Sequence, residues 1–187
     1  MRLHVTITAM LRVFYPDYYV EDVFSINYEK LMEMGFKALI LDIDNTLVPH
    51  GDDSTQAVDE LFHRLHSMGW KTLLLSNNNK ARIERFKAHF DTLYIDEAGK
   101  PQPACYHRAV TMLGVEPSQV MVIGDQVFTD ILGARRARLA CILVKYIGYY
   151  KKEKKGVRRN LEKVVLWFYS HSRRCKRAES IMVENNS

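Results

Sequence analysis

Residues 37–50 read KALILDIDNTLVPH, and the rest of the chain is best read outward from them. Ala38, Leu39, Ile40 and Leu41 make a short apolar run, the pattern of a strand buried on both faces of a parallel sheet. Asp42 and Asp44 follow at its end, with Thr46 two residues further on. Alternate residues of a strand point to the same side, so both carboxylates can enter one site where the strand becomes loop. Carboxylates that close repel each other unless a cation, a shared proton or a hydrogen-bond network relieves them. Their oxygens suit Mg2+, a hard cation that keeps several waters. The stretch points to metal-assisted chemistry on a phosphate.

Outward from this strand, apolar runs alternate with helical patterns. A helix is predicted over 56–68, with Val58, Leu61, Phe62 and Leu65 on one face and Gly69 closing it. Strands are predicted at 71–75, 93–95, 120–123 and 140–144, and helices at 81–89, 103–113 and 129–137. Strands separated by helices predict an α/β fold, a three-layer doubly wound parallel sheet with helices on both faces. Its ligand crevice lies beyond the carboxyl ends of the strands, where Asp42 and Asp44 fall. One domain over 1–187 is expected: an N-terminal extension of helix and loop (1–36, with Pro16, Tyr18 and Tyr19), a catalytic core (37–144) and a basic C-terminal helix and tail (145–187).

Three further clusters fall at predicted strand ends. Ser76 and Asn77, followed by Asn78 and Asn79, can hold phosphate oxygens at a helix start, and equally can cap that helix. Lys100, in Gly99-Lys100-Pro101, can hold a phosphoryl group as a point charge, or simply lie at the surface. Asp125, in Gly124-Asp125-Gln126, reaches the same crevice as Asp42 and can complete a carboxylate site for Mg2+. Asp130 either supports that site or caps the next helix, a role open to Thr129 as well.

Composition excludes several classes. No run of eighteen apolar residues is present, so no membrane-spanning helix is expected, and the N-terminus is too polar and broken for a signal peptide. Cys105, Cys141 and Cys175 are widely spaced and show no metal-ligand pattern, which fits a reduced cytoplasmic interior. The net charge of +5 hides an uneven distribution. Residues 1–144 hold 15 basic and 18 acidic side chains, whereas 145–177 hold 12 basic and 2 acidic. Such a basic segment fits an anionic partner, either a membrane surface or a nucleic acid.

Taken together, these motifs resemble those of the haloacid dehalogenase-like superfamily. Asp42-Ile43-Asp44-Asn45-Thr46 is similar to its first motif, Ser76 to its second, Lys100 to its third, and Gly124-Asp125 with Asp130 to its fourth. The resemblance implies that Asp42 is a nucleophile forming an aspartyl-phosphate and that Asp44 is the general acid/base. It implies that Ser76 and Lys100 bind the phosphoryl group, and that Mg2+ is held by Asp42, the Asp44 carbonyl and Asp125. Thr46 fits the phosphatase branch. A carboxylate attacks phosphorus poorly unless charge is neutralised, which a metal and Lys100 would do.

The intervals between Asp42, Ser76 and Lys100 are too short for a large cap domain, which needs on the order of 50 residues. An open crevice is expected to accept phosphate on a large molecule. The flanks YVEDVFSI (19–26), Leu31 and Gly35, with AGKPQP and GDQVFTDILGA, are similar to subfamily IIIA and to the phosphatidylglycerophosphate phosphatase-like family. That resemblance implies hydrolysis of phosphatidylglycerophosphate to phosphatidylglycerol, in the cytoplasm or peripherally on the inner membrane face. Nucleic acid is the less expected partner because no recognition module appears. The other readings are a phosphatase of a nucleic-acid end or a soluble sugar phosphate, and a non-catalytic binding protein. Near the C-terminus, Val157, Leu161, Val164, Val165 and Phe168 follow helical spacing beside Trp167 and Tyr169. Such a basic helix with aromatic residues either lies in an anionic membrane interface or packs its stripe on the sheet as core. Both hold if the stripe packs inward while Arg158, Arg159 and Lys163, with Lys151, Lys152, Lys154 and Lys155, face lipid.

Overall fold

In the computed structural model, which describes residues 11–147, 157–172 and 181–182, six strands form one parallel sheet. They are β1 (Tyr18–Val20), β2 (Ala38–Leu41), β3 (Lys71–Leu75), β4 (Leu93–Ile95), β5 (Val120–Gly124) and β6 (Ala140–Val144), arranged β1-β6-β5-β2-β3-β4. The chain runs outward from β2 through β3 to β4, then crosses back to β5 on the other side of β2. The order therefore reverses at β2, and a crevice opens at its carboxyl end. The architecture is the α/β doubly wound sheet expected from the sequence.

The pleat explains why β2 is apolar throughout. Leu39 and Leu41 face a layer formed by α1 (Tyr28–Glu33), α2 (Gln56–Ser67) and α3 (Lys80–Phe86), where Leu31, Phe62, Leu65, Ile83 and Phe86 are fully buried. Ala38 and Ile40 face α4 (Pro103–Leu113) and α5 (Leu132–Arg136) on the other side, against Tyr106, Ala109 and Ala134. Each β2 side chain is taken out of water on one face or the other, and a large buried aliphatic side chain contributes roughly 1.5–3 kcal/mol. Side-chain N-caps open two of these helices: Thr55 Oγ1 accepts from Val58 N, and Asn79 Oδ1 accepts from Arg82 N at 3.0 Å.

Three expectations need correction. The N-terminal extension is more than helix and loop, because β1 pairs with β6 along Tyr18–Ile142 and Val20–Val144. A three-residue edge strand has one neighbour and little pattern of its own. Its position is fixed instead by Asp17, which accepts from Cys141 N at 3.0 Å and from Arg135 Nη2 at 2.7 Å. The expected helix at 129–137 is a π-turn, Val127–Ile131, that runs into α5. The wider turn sends the Asp130 side chain back toward β5, so close that a Cβ on Gly124 would lie 2.4 Å from it.

The third correction concerns the last helix, α6 (Val157–Ser170). Its expected single stripe is divided between two faces. Glu162, Val165 and Tyr169 pack inward, Tyr169 edge-on to Tyr15 at 5.6 Å, while Leu161, Val164 and Trp167 are exposed. The side chains of Val157, Arg158 and Arg159 lie outside the described residues, as do Lys151, Lys152, Lys154, Lys155 and Cys175. Among the described residues, no helix is long and apolar enough to cross a membrane.

Candidate active site

Strand register assembles the site. Leu41 lies level with Leu74 on one neighbour and Ile123 on the other. The residues just past these positions (Asp42, Ser76 and Asp125) therefore emerge at one end of the sheet. Asp42 is fixed through its backbone, whose N–H donates to the Ile123 carbonyl at 3.0 Å. Beyond it the chain turns sharply through Asn45, which holds a left-handed φ of 64°, a conformation asparagine tolerates.

The Asp42 carboxylate accepts from Lys100 Nζ at 2.6 Å and from Thr46 Oγ1 at 3.4 Å. The same ammonium donates to Asp130 Oδ1 at 2.7 Å, and the Lys100 side chain is only 5% exposed. Carboxylate oxygens of Asp42, Asp125 and Asp130 all lie within 4.8 Å of one another, and all three residues are buried. Burial pushes the Asp42 pKa up; Lys100 opposes this and Asp130 adds to it. Burial disfavours the Lys100 cation, but Asp130 and Asp42 outweigh it and hold the lysine firmly protonated. A buried, oxygen-only donor set of this kind suits a hard divalent cation such as Mg2+.

Asp130 is oriented from behind. Its Oδ2 accepts from Gln126 N at 3.1 Å and Thr129 Oγ1 at 3.4 Å. The Tyr106 hydroxyl donates to the carbonyls of Thr129 and Asp130, bracing the π-turn from α4. Of the two sequence alternatives for Asp130, the geometry puts it in the carboxylate cluster.

Asp44 is engaged quite differently. Its Oδ2 accepts from Asn78 Nδ2 at 2.5 Å and lies 3.3 Å from His50 Nδ1. Its Oδ1 accepts from Gly51 N and from Arg82 Nη2, each at 3.1 Å. Burial would raise its pKa, but the Asn78 and Gly51 hydrogen bonds, with Arg82 and His50, outweigh that and lower it. Arg82 also donates to the Asp52 carbonyl and lies over the Phe86 ring at 5.5 Å, while its buried Nε and Nη1 have no hydrogen-bond partner among the described residues.

The polar cluster after β3 divides its work. Ser76 Oγ is buried and accepts from Asn78 N at 3.2 Å and Asn78 Nδ2 at 3.0 Å. Asn77, expected to bind phosphate, has its side chain on the backbone of Lys100, accepting from Lys100 N at 2.9 Å and donating to its carbonyl. It positions the lysine from outside. Asn78 is the residue that joins Ser76 to Asp44, and sequence reasoning did not select it. The run of three asparagines was visible, but only the turn decides which one faces inward. Arg82 and Glu162 were also missed. Buried Glu162 accepts from Val127 N at 3.1 Å and so ties α6 to the loop that carries Asp125.

A buried aspartate held against a lysine, with a carboxylate cluster beside it at the mouth of a parallel sheet, is the arrangement of an α/β enzyme whose crevice floor suits a phosphate ester and a hard divalent cation. The pattern of the haloacid dehalogenase-like hydrolases matches residues 52–138, which include Ser76, Lys100, Asp125 and Asp130. "Probable phosphatase YqeG" of Bacillus subtilis (strain 168) is 37% identical over 137 residues, covering 72% of this chain and 80% of that protein. The chain belongs to the haloacid dehalogenase-like hydrolases, and it is a phosphatase. Glyceraldehyde 3-phosphate phosphatase of Pyrococcus furiosus is 23% identical over 95 residues, covering 46% of this chain and 40% of that enzyme. Among solved structures, an uncharacterized protein from Listeria monocytogenes serotype 4b shares the fold, with a TM-score of 0.50, 16% identity, and coverage of 71% of this chain and 98% of that one.

Proposed function

We propose that this phosphatase hydrolyses the terminal phosphate of phosphatidylglycerophosphate through an aspartyl-phosphate on Asp42. The observation that carries the mechanism is the buried Asp42–Lys100–Asp130 array at the crevice floor. An Asp42 oxygen attacks phosphorus and the ester P–O bond breaks. The departing oxygen takes a proton from Asp44. Water then attacks the phosphorus of the acyl phosphate and gives its proton to Asp44, which releases inorganic phosphate and restores the Asp42 carboxylate.

Lys100 and Ser76 bind the phosphoryl oxygens. A divalent cation, Mg2+ as the first choice, would be held by Asp42, Asp125 and the Asp44 carbonyl, with Asp130 beside them, and would neutralise charge on the transferring group. At rest Asp44 is saturated with donors and ionised. Asp44 must therefore first take up a proton from solvent, with Asn78 or Arg82 giving way, before it can pass that proton to the leaving oxygen.

The substrate rests on the surroundings of the site. Only α2 lies between Asp44 and β3, and only α3 and β4 lie between Ser76 and Lys100, so a bulky esterified phosphate can reach the floor. The resemblance of residues 19–26 and of the AGKPQP and GDQVFTDILGA segments supports a phospholipid, acted on in the cytoplasm at the inner membrane face. A soluble triose phosphate is the second reading, favoured by the match to glyceraldehyde 3-phosphate phosphatase.

A phosphate-release assay with Mg2+ or EDTA separates the two, comparing phosphatidylglycerophosphate in mixed micelles with glyceraldehyde 3-phosphate and other soluble monoesters. Preference for the lipid is expected, and faster turnover of a soluble ester would replace this reading. Asp42→Asn should abolish turnover on every ester with the fold intact by circular dichroism; residual activity near wild type would remove Asp42 from the nucleophile role.

A further inference from the structure

The exposed face of α6 has no role in the hydrolytic site. Leu161, Val164 and Trp167 are 54%, 54% and 59% exposed, a contiguous ridge on consecutive turns with half-buried Phe168 beside it. Exposed large apolar side chains grouped in this way mark an interaction surface. The opposite face of the helix is firmly seated through Val165, Tyr169 and Glu162. The ridge is therefore carried on a rigid support attached to the loop that follows β5.

We infer that this ridge is a docking face for an anionic lipid bilayer, in which Leu161, Val164 and Trp167 enter the acyl boundary. Charge selects the occupant. Lys151, Lys152, Lys154 and Lys155 precede the helix in the chain, Arg173, Arg174, Lys176 and Arg177 follow it, and exposed Lys163 lies within it. Each basic residue near an anionic leaflet contributes about 1 kcal/mol. A second copy would carry the same excess of basic residues in this part of its chain, so like charge opposes self-association. A nucleic acid would satisfy the cations but offers no apolar phase for leucine and valine. A bilayer interface supplies both, and tryptophan favours that depth. A 14-residue helix is about 21 Å long, too short to span, so it lies in the plane of the interface. The inference rests on the lipid reading above only for its purpose.

The test uses the intact protein and extruded vesicles of phosphatidylcholine with and without phosphatidylglycerol. Wild-type protein should co-sediment with the anionic vesicles and not with the neutral ones. Trp70 is buried, so a blue shift on vesicle addition, with quenching by brominated acyl chains, reports Trp167 and should vanish in Trp167→Phe. The double variant Leu161→Asp, Val164→Asp should lower vesicle affinity about tenfold or more while hydrolysis of para-nitrophenyl phosphate stays unchanged. No sedimentation, or equal sedimentation of the double variant, overturns the proposal. So does a dimer, or a complex with nucleic acid or an acidic protein, that the double variant disperses. Vesicle binding without lipid hydrolysis would instead sink the substrate assignment and leave docking intact. Hydrolysis of micellar lipid without vesicle binding would do the reverse.

Discussion

Lys100 is the cation on which the crevice floor depends. Its ammonium lies 2.6 Å from Asp42 and 2.7 Å from Asp130, out of water. Removing one partner of a buried ionic array leaves charge uncompensated, so Lys100→Met should cost about 3–5 kcal/mol. Urea unfolding with EDTA measures that loss, and added Mg2+ should recover part of it. Arg82 acts on the other carboxylate, holding Asp44 at 3.1 Å without reaching the nucleophile. Arg82→Ala should therefore lower kcat about tenfold, near 1.4 kcal/mol, and leave KM nearly unchanged. Steady-state kinetics on a soluble ester checks the split, and a rise confined to KM would place Arg82 in substrate binding instead. Asp42, Asp44, Ser76 and Asp125 were legible as positions in the sequence because each sits at or just past the end of a predicted strand, and Lys100 and Asp130 because they complete the motifs that follow β4 and β5. Asn78 and Arg82 were not, because their side chains reach the site only through the turn after β3 and the first turn of α3.

Elements with strong periodicity were read correctly, and those fixed by context were not. β2, β3 and β5 carry apolar runs that burial on two faces demands. The π-turn carries no such signal: it exists because Gly124 leaves space for Asp130, a tertiary circumstance. The split of α6 was hidden for a related reason, since spacing groups Leu161, Val164 and Val165 but cannot say which of them meets the sheet. A pH effect belongs to this scale as well. His66 of α2 bonds Thr72 Oγ1 of β3 at 2.8 Å, and Thr72 bonds Thr92 beside β4 at 2.7 Å. Burial lowers the His66 pKa below 6.5, with Asp91 opposing and His63 reinforcing the shift. Below pH ~6.5 the unfolded chain then binds a proton that the folded chain resists. Stability from this group is complete above that pH, falls as pH drops, and levels once the folded histidine also titrates. His66→Gln should flatten the urea midpoint between pH 5 and 7, and an unchanged slope would assign the titration elsewhere.

At the scale of the molecule, the chain closes on itself. β1 pairs with β6, and Ile181 is buried, with its carbonyl accepting from Asn27 N at 2.8 Å. Glu162 accepts from Val127 N, 35 residues earlier in the chain. Glu162→Ala leaves that buried N–H without this acceptor, which should cost about 1–3 kcal/mol and lower kcat by disturbing the neighbouring Asp125. Glu162→Gln keeps an acceptor and should retain most of both. Thermal unfolding and phosphate release are the measurements. The acidic core and the basic C-terminal region were legible from charge alone, but their mechanical connection was not, since a single buried glutamate in a basic helix looks like an ordinary surface charge.

That connection also bears on the order of synthesis. A ribosome delivers the amino-terminal part of a chain first. Every carboxylate of the crevice, the lysine between them and the serine beside them have been translated well before Glu162 is added. Until the last helix emerges and docks, the loop bearing Asp125 lacks its anchor. Hydrolysis should therefore begin only after that helix has been translated and has docked, at about the time the apolar ridge first becomes available to a membrane.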